Sequence, residues 1–291
     1  MKLLVTGASG FLGVKLVNVL KKDFQLIATS RVGNNGIIGM DISNMGEVSS
    51  VISRIKPEVV VHNAALTDVD RCEIEKELAW KINVEGTRNV LDACKSVKAK
   101  IVYFSTDFVF DGSNPPYGED DIPNPLSHYA KTKREAEILV EKSGLEFLLI
   151  RPEVLYGFNG DGSERSFVNW VYQSLEKGIP IRVVNDQFNT PTLIDDIAEA
   201  LRILLKKKRI GVYHVAGPQR LSRYEMALRI ANAFKFDKSL IKSIPSSQLR
   251  QKAPRPRDSS LKSGKIAGEG IKMHTFDEGM LVMKKQVEAG R

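Results

Sequence analysis

The sequence predicts a doubly wound α/β fold, a parallel sheet with helices on both faces, and a smaller lobe built from the C-terminal part of the chain. Three observations carry this reading: a strand that turns through glycines straight into a helix at residues 2–22, apolar runs without polar alternation that are separated by amphipathic stretches, and a change of texture after about residue 155. With 291 residues and 42% hydrophobic composition, the chain can bury the core of one large domain or of one domain with an appended lobe.

The first strand is Lys2-Leu3-Leu4-Val5-Thr6, and Gly7-Ala8-Ser9-Gly10-Phe11-Leu12-Gly13 leads from it into helical periodicity over 11–22. Gly7 permits the tight turn, Gly10 lets backbone approach a ligand without a Cβ in the way, and Gly13 lets the helix lie close to the strand. Unpaired amides at the helix start then face an anion, so the segment reads as a phosphate cradle of a Rossmann-type dinucleotide site. Gly7, Ser9, Gly10, Phe11, Leu12 and Gly13 are its candidate cofactor contacts.

The second strand, Gln25-Leu26-Ile27-Ala28-Thr29, ends at Ser30-Arg31, where NAD-binding chains commonly place a carboxylate for the ribose 2′-hydroxyl. A guanidinium there can grip a 2′-phosphate bidentately, which favours NADPH over NADH, with NADH as the alternative. Further strands are read at Val59–Asn63, Lys100–Phe104 and Phe147–Ile150, with helices at 47–55, 73–95 and 128–142. Tyr103 and Phe104 are assigned to the core. Trp80, Trp170 and Tyr224 sit at helical spacings that favour packing over ligand contact.

The chemistry is read at Ser127-His128-Tyr129-Ala130-Lys131-Thr132-Lys133. Ser127 can cap a helix, on which Tyr129 and Lys133 fall four apart on one face. A phenol is a poor acid-base at neutral pH, and an adjacent ammonium, with a nicotinium ring in the oxidised complex, would lower its pKa toward the working range. Thr106, just beyond the strand that ends in Phe104, could fix a substrate carbonyl.

After residue 155 a glycine-rich loop, 157–163, precedes helices interrupted by Pro180, Pro191, Pro218, Pro245, Pro254 and Pro256. The boundary is placed so that 1–155 form the nucleotide-binding domain and 156–291 a substrate-binding lobe, interleaved with the first and not independently folding. The proline-rich stretch 111–127 and the glycine-rich stretch 157–166 are expected near the substrate, as segments able to close over it.

Net charge is +8, but the basic residues are spread along the chain. That argues against nucleic acid and suits an anionic small substrate. Cys72 and Cys94 are widely separated, and neither they nor His62, His128 and His214 show metal-type spacing, so no catalytic metal is expected. A strand starting at residue 2 leaves no room for a signal peptide, and no apolar run reaches membrane-span length, so a soluble, cytoplasmic protein is expected.

Taken together, Gly7-x-x-Gly10-x-x-Gly13, Asp41-Ile42, Asn63-Ala64-Ala65, Asn83-Val84-x-Gly86-Thr87, the run Ser105–Gly112 and Tyr129-x-x-x-Lys133 resemble the extended short-chain dehydrogenase/reductases. Within them the chain is most similar to the dTDP-4-dehydrorhamnose reductases, which share the Ser-Thr-Asp-aromatic-Val-Phe-Asp-Gly run, Pro191-Thr192 followed by Asp195-Asp196, and the late Arg255-Pro256. The resemblance implies reduction of a 4-keto-6-deoxy sugar nucleotide, with hydride from the nicotinamide and a proton from Tyr129. It further implies that Lys133 holds the nicotinamide ribose, that Thr106 bonds the carbonyl, and that Thr106, Asp107, Val109 and Arg255 contact substrate. Asp41 and Ile42 would border the adenine, Asn63, Ala64 and Ala65 would line the cofactor floor, and Asn83 would steady the sheet. A homodimer is an allowed assembly.

Two departures bear on this. Similar dehydratases carry Thr-Asp-Glu where this chain has Thr106-Asp107-Phe108, which disfavours dehydration. Val154 stands where rhamnose-forming reductases usually have a Trp, which points to a different or looser sugar pocket. The stretch 114–125 and Arg223–Ala227 also resemble the regulatory β subunit of methionine adenosyltransferase, which implies an alternative: an NADP-binding, non-catalytic partner of that enzyme. A sugar-nucleotide epimerase is a third reading.

Overall fold

The computed structural model describes residues 1–34, 36–160 and 166–290. Its centre is a seven-stranded sheet in which every pairing is parallel. In chain order the strands are β1 Lys2–Thr6, β2 Gln25–Ser30, β3 Ile38–Gly39, β4 Val59–His62, β5 Lys100–Phe104, β6 Phe147–Pro152 and finally Gly211–Val215. Across the sheet they run Gly211–Val215, β6, β5, β4, β1, β2, β3. The winding therefore reverses between β1 and β4, registered Val5 with Val61 and Thr6 with His62, and such a switch point opens a crevice at the carboxyl ends of the strands.

Both faces of the sheet are buried, which is why its strands read as unbroken apolar runs. Leu3, Val5, Val59, Val61, Val102 and Ile150 face the helices Phe11–Leu20 and Ile194–Lys206, while Leu4, Val60, Ile101, Tyr103 and Leu149 face Met45–Ile55, Gly86–Val97 and His128–Glu141. A separate apolar core joins Phe167–Glu176, Arg223–Phe234 and Phe276–Ala289, with Tyr224 packed beside it. The seventh sheet strand comes from beyond residue 155, with Val212 registered on Leu149 of β6.

The expected helix over 73–95 is broken. Val69–Ile74 ends at Glu75 (φ −100°, ψ 60°), Lys76–Trp80 follows, a π turn occupies Lys81–Glu85, and Gly86–Val97 resumes the α-helix. The extra residue of a π turn re-aims one side chain, and here it turns Asn83 inward. Asn83 Oδ1 accepts from the Leu66 amide at 2.8 Å, and its Nδ2 donates to the Leu66 carbonyl and to Thr132 Oγ1, each at 3.0 Å. Asn83 thus ties the loop after β4 to the helix His128–Glu141. Trp80 and Trp170 lie partly at the surface, 38% and 44% exposed, Trp170 packed against the Phe167 ring with centroids 6.0 Å apart.

One charged pair is sealed inside. Arg151, 2% exposed, donates from Nε and Nη2 to the two carboxylate oxygens of Glu137, 0% exposed, at 2.8 and 2.9 Å. Burial alone would raise the Glu137 pKa, but the hydrogen bonds and charge of Arg151 outweigh it and hold the carboxyl below its usual value. Among the described residues no helix is long and apolar enough to cross a membrane.

Candidate active site

A cleft of about 1020 Å³ opens at the carboxyl ends of β1, β4 and β5. Gly7 takes φ +65°, and a Cβ there would stand 2.8 Å from the Ala64 Cα. A Cβ on Gly13 would lie 2.1 Å from the Gly7 carbonyl oxygen. Gly7, Ser9, Gly10, Phe11 and Leu12 line the cleft. Gly13 lies behind the turn and sets how closely helix meets strand. No side chain caps the helix Phe11–Leu20, whose N-cap is Gly10, so its first amides are free to take an anion. Gly13→Ala should cost about 1–3 kcal/mol of stability, because the clash is with backbone that cannot swing aside; a denaturant midpoint within error of wild type would contradict it.

The floor is held by Thr6, whose Oγ1 accepts from the amides of Asn63 at 3.2 Å and Ala64 at 3.1 Å, while Asn63 Nδ2 donates to the Gly7 carbonyl at 3.2 Å. Asn63, Ala64 and Ala65 all face the cleft. His62 sits beneath them between Thr6 Oγ1 (2.9 Å) and Thr87 Oγ1 (3.1 Å). Burial, helped by the charge of Lys133, drives its pKa to about 3, so it is a neutral structural imidazole. At the far end Ser30 and Arg31 lie on the wall, Arg31 exposed, with Asp41 and Ile42 beside them. Asp41 Oδ1 accepts from both the amide and the hydroxyl of Ser43 at 2.8 Å, which fixes the turn after β3.

Thr106, Tyr129 and Lys133 converge on the opposite wall. Ser127 Oγ accepts from the Ala130 amide at 3.2 Å, which starts the helix where the spacing placed it. Tyr129 is nearly buried, edge-on to Phe108 with ring centroids 6.4 Å apart. Its phenol is pushed above its usual value by burial, against which a hydrogen bond from Thr106 works. The expected lowering by an ammonium at the phenol is corrected. Lys133 Nζ donates to the Phe104 carbonyl at 2.6 Å and rides 4.3 Å over the Tyr103 ring, and its own pKa is driven down to about 7 by burial, with Glu137 opposing.

Asp107 lines the cleft in the turn that follows Thr106 and is buried. Val109, expected at the substrate, is not there: the 3₁₀ turn Asp107–Val109 rotates it into an apolar cluster with Phe110, Tyr117, Ala216 and Leu261. Arg255 reaches the wall, held by Asp70 Oδ1 and the Ala253 carbonyl, each at 3.0 Å. None of residues 111–127 lines the cleft. Instead Tyr117 stacks on Phe110 at 4.2 Å and its amide bonds the Ser260 carbonyl at 2.8 Å. Of the glycine-rich stretch, Asn159 Nδ2 donates to the Phe11 carbonyl at 2.6 Å and Ser166 lines the cleft; residues 161–165 lie outside the described residues.

Sequence reading assigned no site role to Arg223, which faces the cleft with its guanidinium 4.6 Å from the Phe167 ring centroid. Burial drives its pKa down to about 10 while Asp107 and Glu153 oppose. A signal existed, since Ser222 and Glu225 form a capping box that marks a helix start and so projects the first residue from a terminus. Val154 also lines the wall and takes φ +38°, a conformation a β-branched residue rarely adopts. Among the described residues no group of three metal-binding side chains occurs.

A family model described as the RmlD substrate binding domain matches residues 1–288. The methionine adenosyltransferase 2 subunit beta of Bos taurus is 32% identical over 286 residues, 94% of this chain and 84% of that protein. A dTDP-4-dehydrorhamnose reductase from Clostridium acetobutylicum superposes with a TM-score of 0.90 at 32% identity, covering 99% of this chain and 100% of its own. One from Bacillus anthracis, solved in complex with NADP, superposes with a TM-score of 0.89 at 29% identity, covering 98% and 99%.

Proposed function

The chain belongs to the RmlD substrate-binding domain family, and from that premise we propose that it is an NADPH-dependent reductase of a 4-keto-6-deoxy sugar nucleotide. The observation that carries this reading is that the Thr106 hydroxyl and the Tyr129 phenol meet on the wall of the same cleft that holds the uncapped helix start and the Gly7 turn. We assign residues 1–155 to the cofactor side and 156–291 to the substrate side.

The cradle fits a dinucleotide, because side chains larger than hydrogen at Gly7 and Gly13 would collide with backbone, and the amides of Phe11 and Leu12 are left for phosphate while that of Gly10 closes the turn on the Gly7 carbonyl at 3.0 Å. Gly7, Ser9, Gly10, Phe11 and Leu12 would hold the pyrophosphate, Asp41 and Ile42 the adenine, Asn63, Ala64 and Ala65 the floor, and Lys133 the nicotinamide ribose. Bound there, the nicotinamide would supply hydride. Thr106 donates a hydrogen bond to the substrate carbonyl oxygen, and Tyr129 gives that oxygen a proton as negative charge develops on it. The high phenol pKa suits a donor, since the proton stays on oxygen until an alkoxide forms. Arg223 and Arg255, with the overall charge of +8, draw an anionic nucleotide into the cleft.

Arg31 sets the cofactor preference. Loss of a charge-assisted contact is worth about 1.5–3 kcal/mol, so Arg31→Ala should weaken NADPH binding by roughly tenfold or more and leave NADH within a factor of about two. Equal weakening of both would remove Arg31 from this role. The reading as a whole is tested by incubating the purified protein with NADPH and a dTDP-4-keto-6-deoxy sugar: sustained NADPH consumption supports it.

The identity to methionine adenosyltransferase 2 subunit beta favours one second reading, an NADP-binding subunit whose task is association with such an enzyme. Under it, NADPH binds without turnover and an adenosyltransferase co-purifies.

A further inference from the structure

Behind the cleft wall lies a line of polar side chains to which the mechanism above gives no task. Glu153 follows β6 and is fully buried. Its Oε1 accepts from Asn189 Nδ2 at 2.8 Å and lies 3.2 Å from Ser259 Oγ, and its Oε2 accepts from the Thr190 hydroxyl. The same Ser259 hydroxyl donates to Asp107 Oδ2 at 2.6 Å. Asp107 Oδ1 accepts from Thr106 Oγ1 at 3.1 Å, and Thr106 reaches the oxygen of Tyr129. A chain of hydrogen-bonding groups thus runs from a buried carboxyl to Thr106, which lines the cleft with the proposed proton donor.

The charges around this chain do not balance if both carboxyls are ionised. Arg223 faces Asp107 and Glu153 together, and Arg255 beyond it is already paired with Asp70. Ser259 has one hydrogen to offer two carboxylates. Burial raises the pKa of both acids, and the charge of Asp107 raises that of Glu153 further, which disfavours two ionised carboxyls side by side.

We propose that Glu153 and Asp107, bridged by Ser259, hold one proton in common and return it through Thr106 to Tyr129 after each reduction. The proposal rests on the reductase reading. When Tyr129 has given its proton to the substrate oxygen it is left as phenolate, nearly closed off from bulk water. The O–H bond of Thr106 then breaks and a phenol O–H forms. Thr106 is reprotonated by the one shared proton: from Asp107 directly when it sits there, and, when it sits on Glu153, through Ser259, which takes it and gives its own hydrogen to Asp107 for transfer to Thr106. The net change is one proton moved from the carboxyl pair to Tyr129, made good from solvent between turnovers. Glu153 touches no reacting atom and acts through its neighbours.

The test compares wild type, Glu153→Gln and Ser259→Ala in rapid mixing of protein, NADPH and the keto-sugar. Both variants should oxidise the first equivalent of NADPH at the wild-type rate and then slow by roughly tenfold, less than the 10²–10⁴ of a group that transfers the proton directly. Their steady-state kcat should fall further as pH rises, with KM little changed. A merely structural defect would instead slow the first turnover. On the wild-type protein, which sidesteps any folding defect in the variants, infrared spectra at neutral pH should show the carbonyl band of a neutral buried carboxylic acid. Wild type that oxidises NADPH alongside variants with unchanged bursts, rates and pH profiles overturns the proton store alone. The absence of the neutral-acid band overturns it too. Wild type that binds NADPH without oxidising it overturns the reductase reading and the store with it.

Discussion

Tyr129→Phe should reduce kcat by roughly 10²–10⁴ while leaving NADPH affinity within a few-fold of wild type, because it removes the proposed proton donor and nothing else. The ring stays in place: it packs with Cys72 and Ala79 and stands edge-on to Phe108, contacts that need no hydroxyl. Thr106 keeps Asp107 as its acceptor at 3.1 Å, so no buried donor is orphaned. Stability should therefore hardly change. Steady-state kinetics beside a fluorescence titration of NADPH separate chemistry from binding. A kcat within a few-fold of wild type would show that the proton comes from elsewhere.

Glu137→Leu should destabilise the fold by about 3–5 kcal/mol, the cost of leaving a buried cation without its partner. Arg151 is sealed behind the sheet, and its other neighbours, the Glu119 carbonyl at 3.5 Å and His214 Nε2 at 3.3 Å, carry no negative charge. His214 does not compensate, since burial and then the charge of Arg151 drive its own pKa to about 3. The pH dependence follows from the sign of the Glu137 shift. Its folded pKa lies below the unfolded value, so its contribution is fully present above the ordinary glutamate range and is lost as pH falls through that range to the lower folded value. Denaturant unfolding at neutral and acidic pH should show the gap between wild type and Glu137→Leu narrowing in acid. A gap that is constant with pH would mean that the pair contributes nothing as charges.

The features legible in the sequence are those carried by local spacing. Gly7, Gly10 and Gly13 announce their turn because each excludes a Cβ at a particular place, and Ser127, Tyr129 and Lys133 announce theirs because a cap and a four-residue interval define a helical face. The unalternating runs at β1, β4 and β5 announce a sheet covered on both sides. What stayed hidden depends on partners distant in the chain. The break within 73–95 is made by Asn83 reaching back to Leu66 and across to Thr132. Lys133 Nζ is anchored on the Phe104 carbonyl, a strand end known only once β5 lies beneath the helix. Val109 lies in the run that the family shares, yet a single 3₁₀ turn sends its side chain into the apolar cluster with Phe110 and Tyr117. Glu153, Ser259 and Arg223 meet Asp107 from three segments of the C-terminal half or its border, and no spacing in the sequence joins them.

The most direct measurement follows an atom. NADPH carrying deuterium at the transferring position of its nicotinamide is incubated with the protein and a dTDP-4-keto-6-deoxy sugar, and the sugar is analysed by mass spectrometry and NMR. The account predicts deuterium on the former carbonyl carbon with the wild-type protein, and almost none with Tyr129→Phe. Labelled cofactor recovered unchanged beside an unlabelled keto-sugar, from protein that binds NADPH tightly, would contradict it.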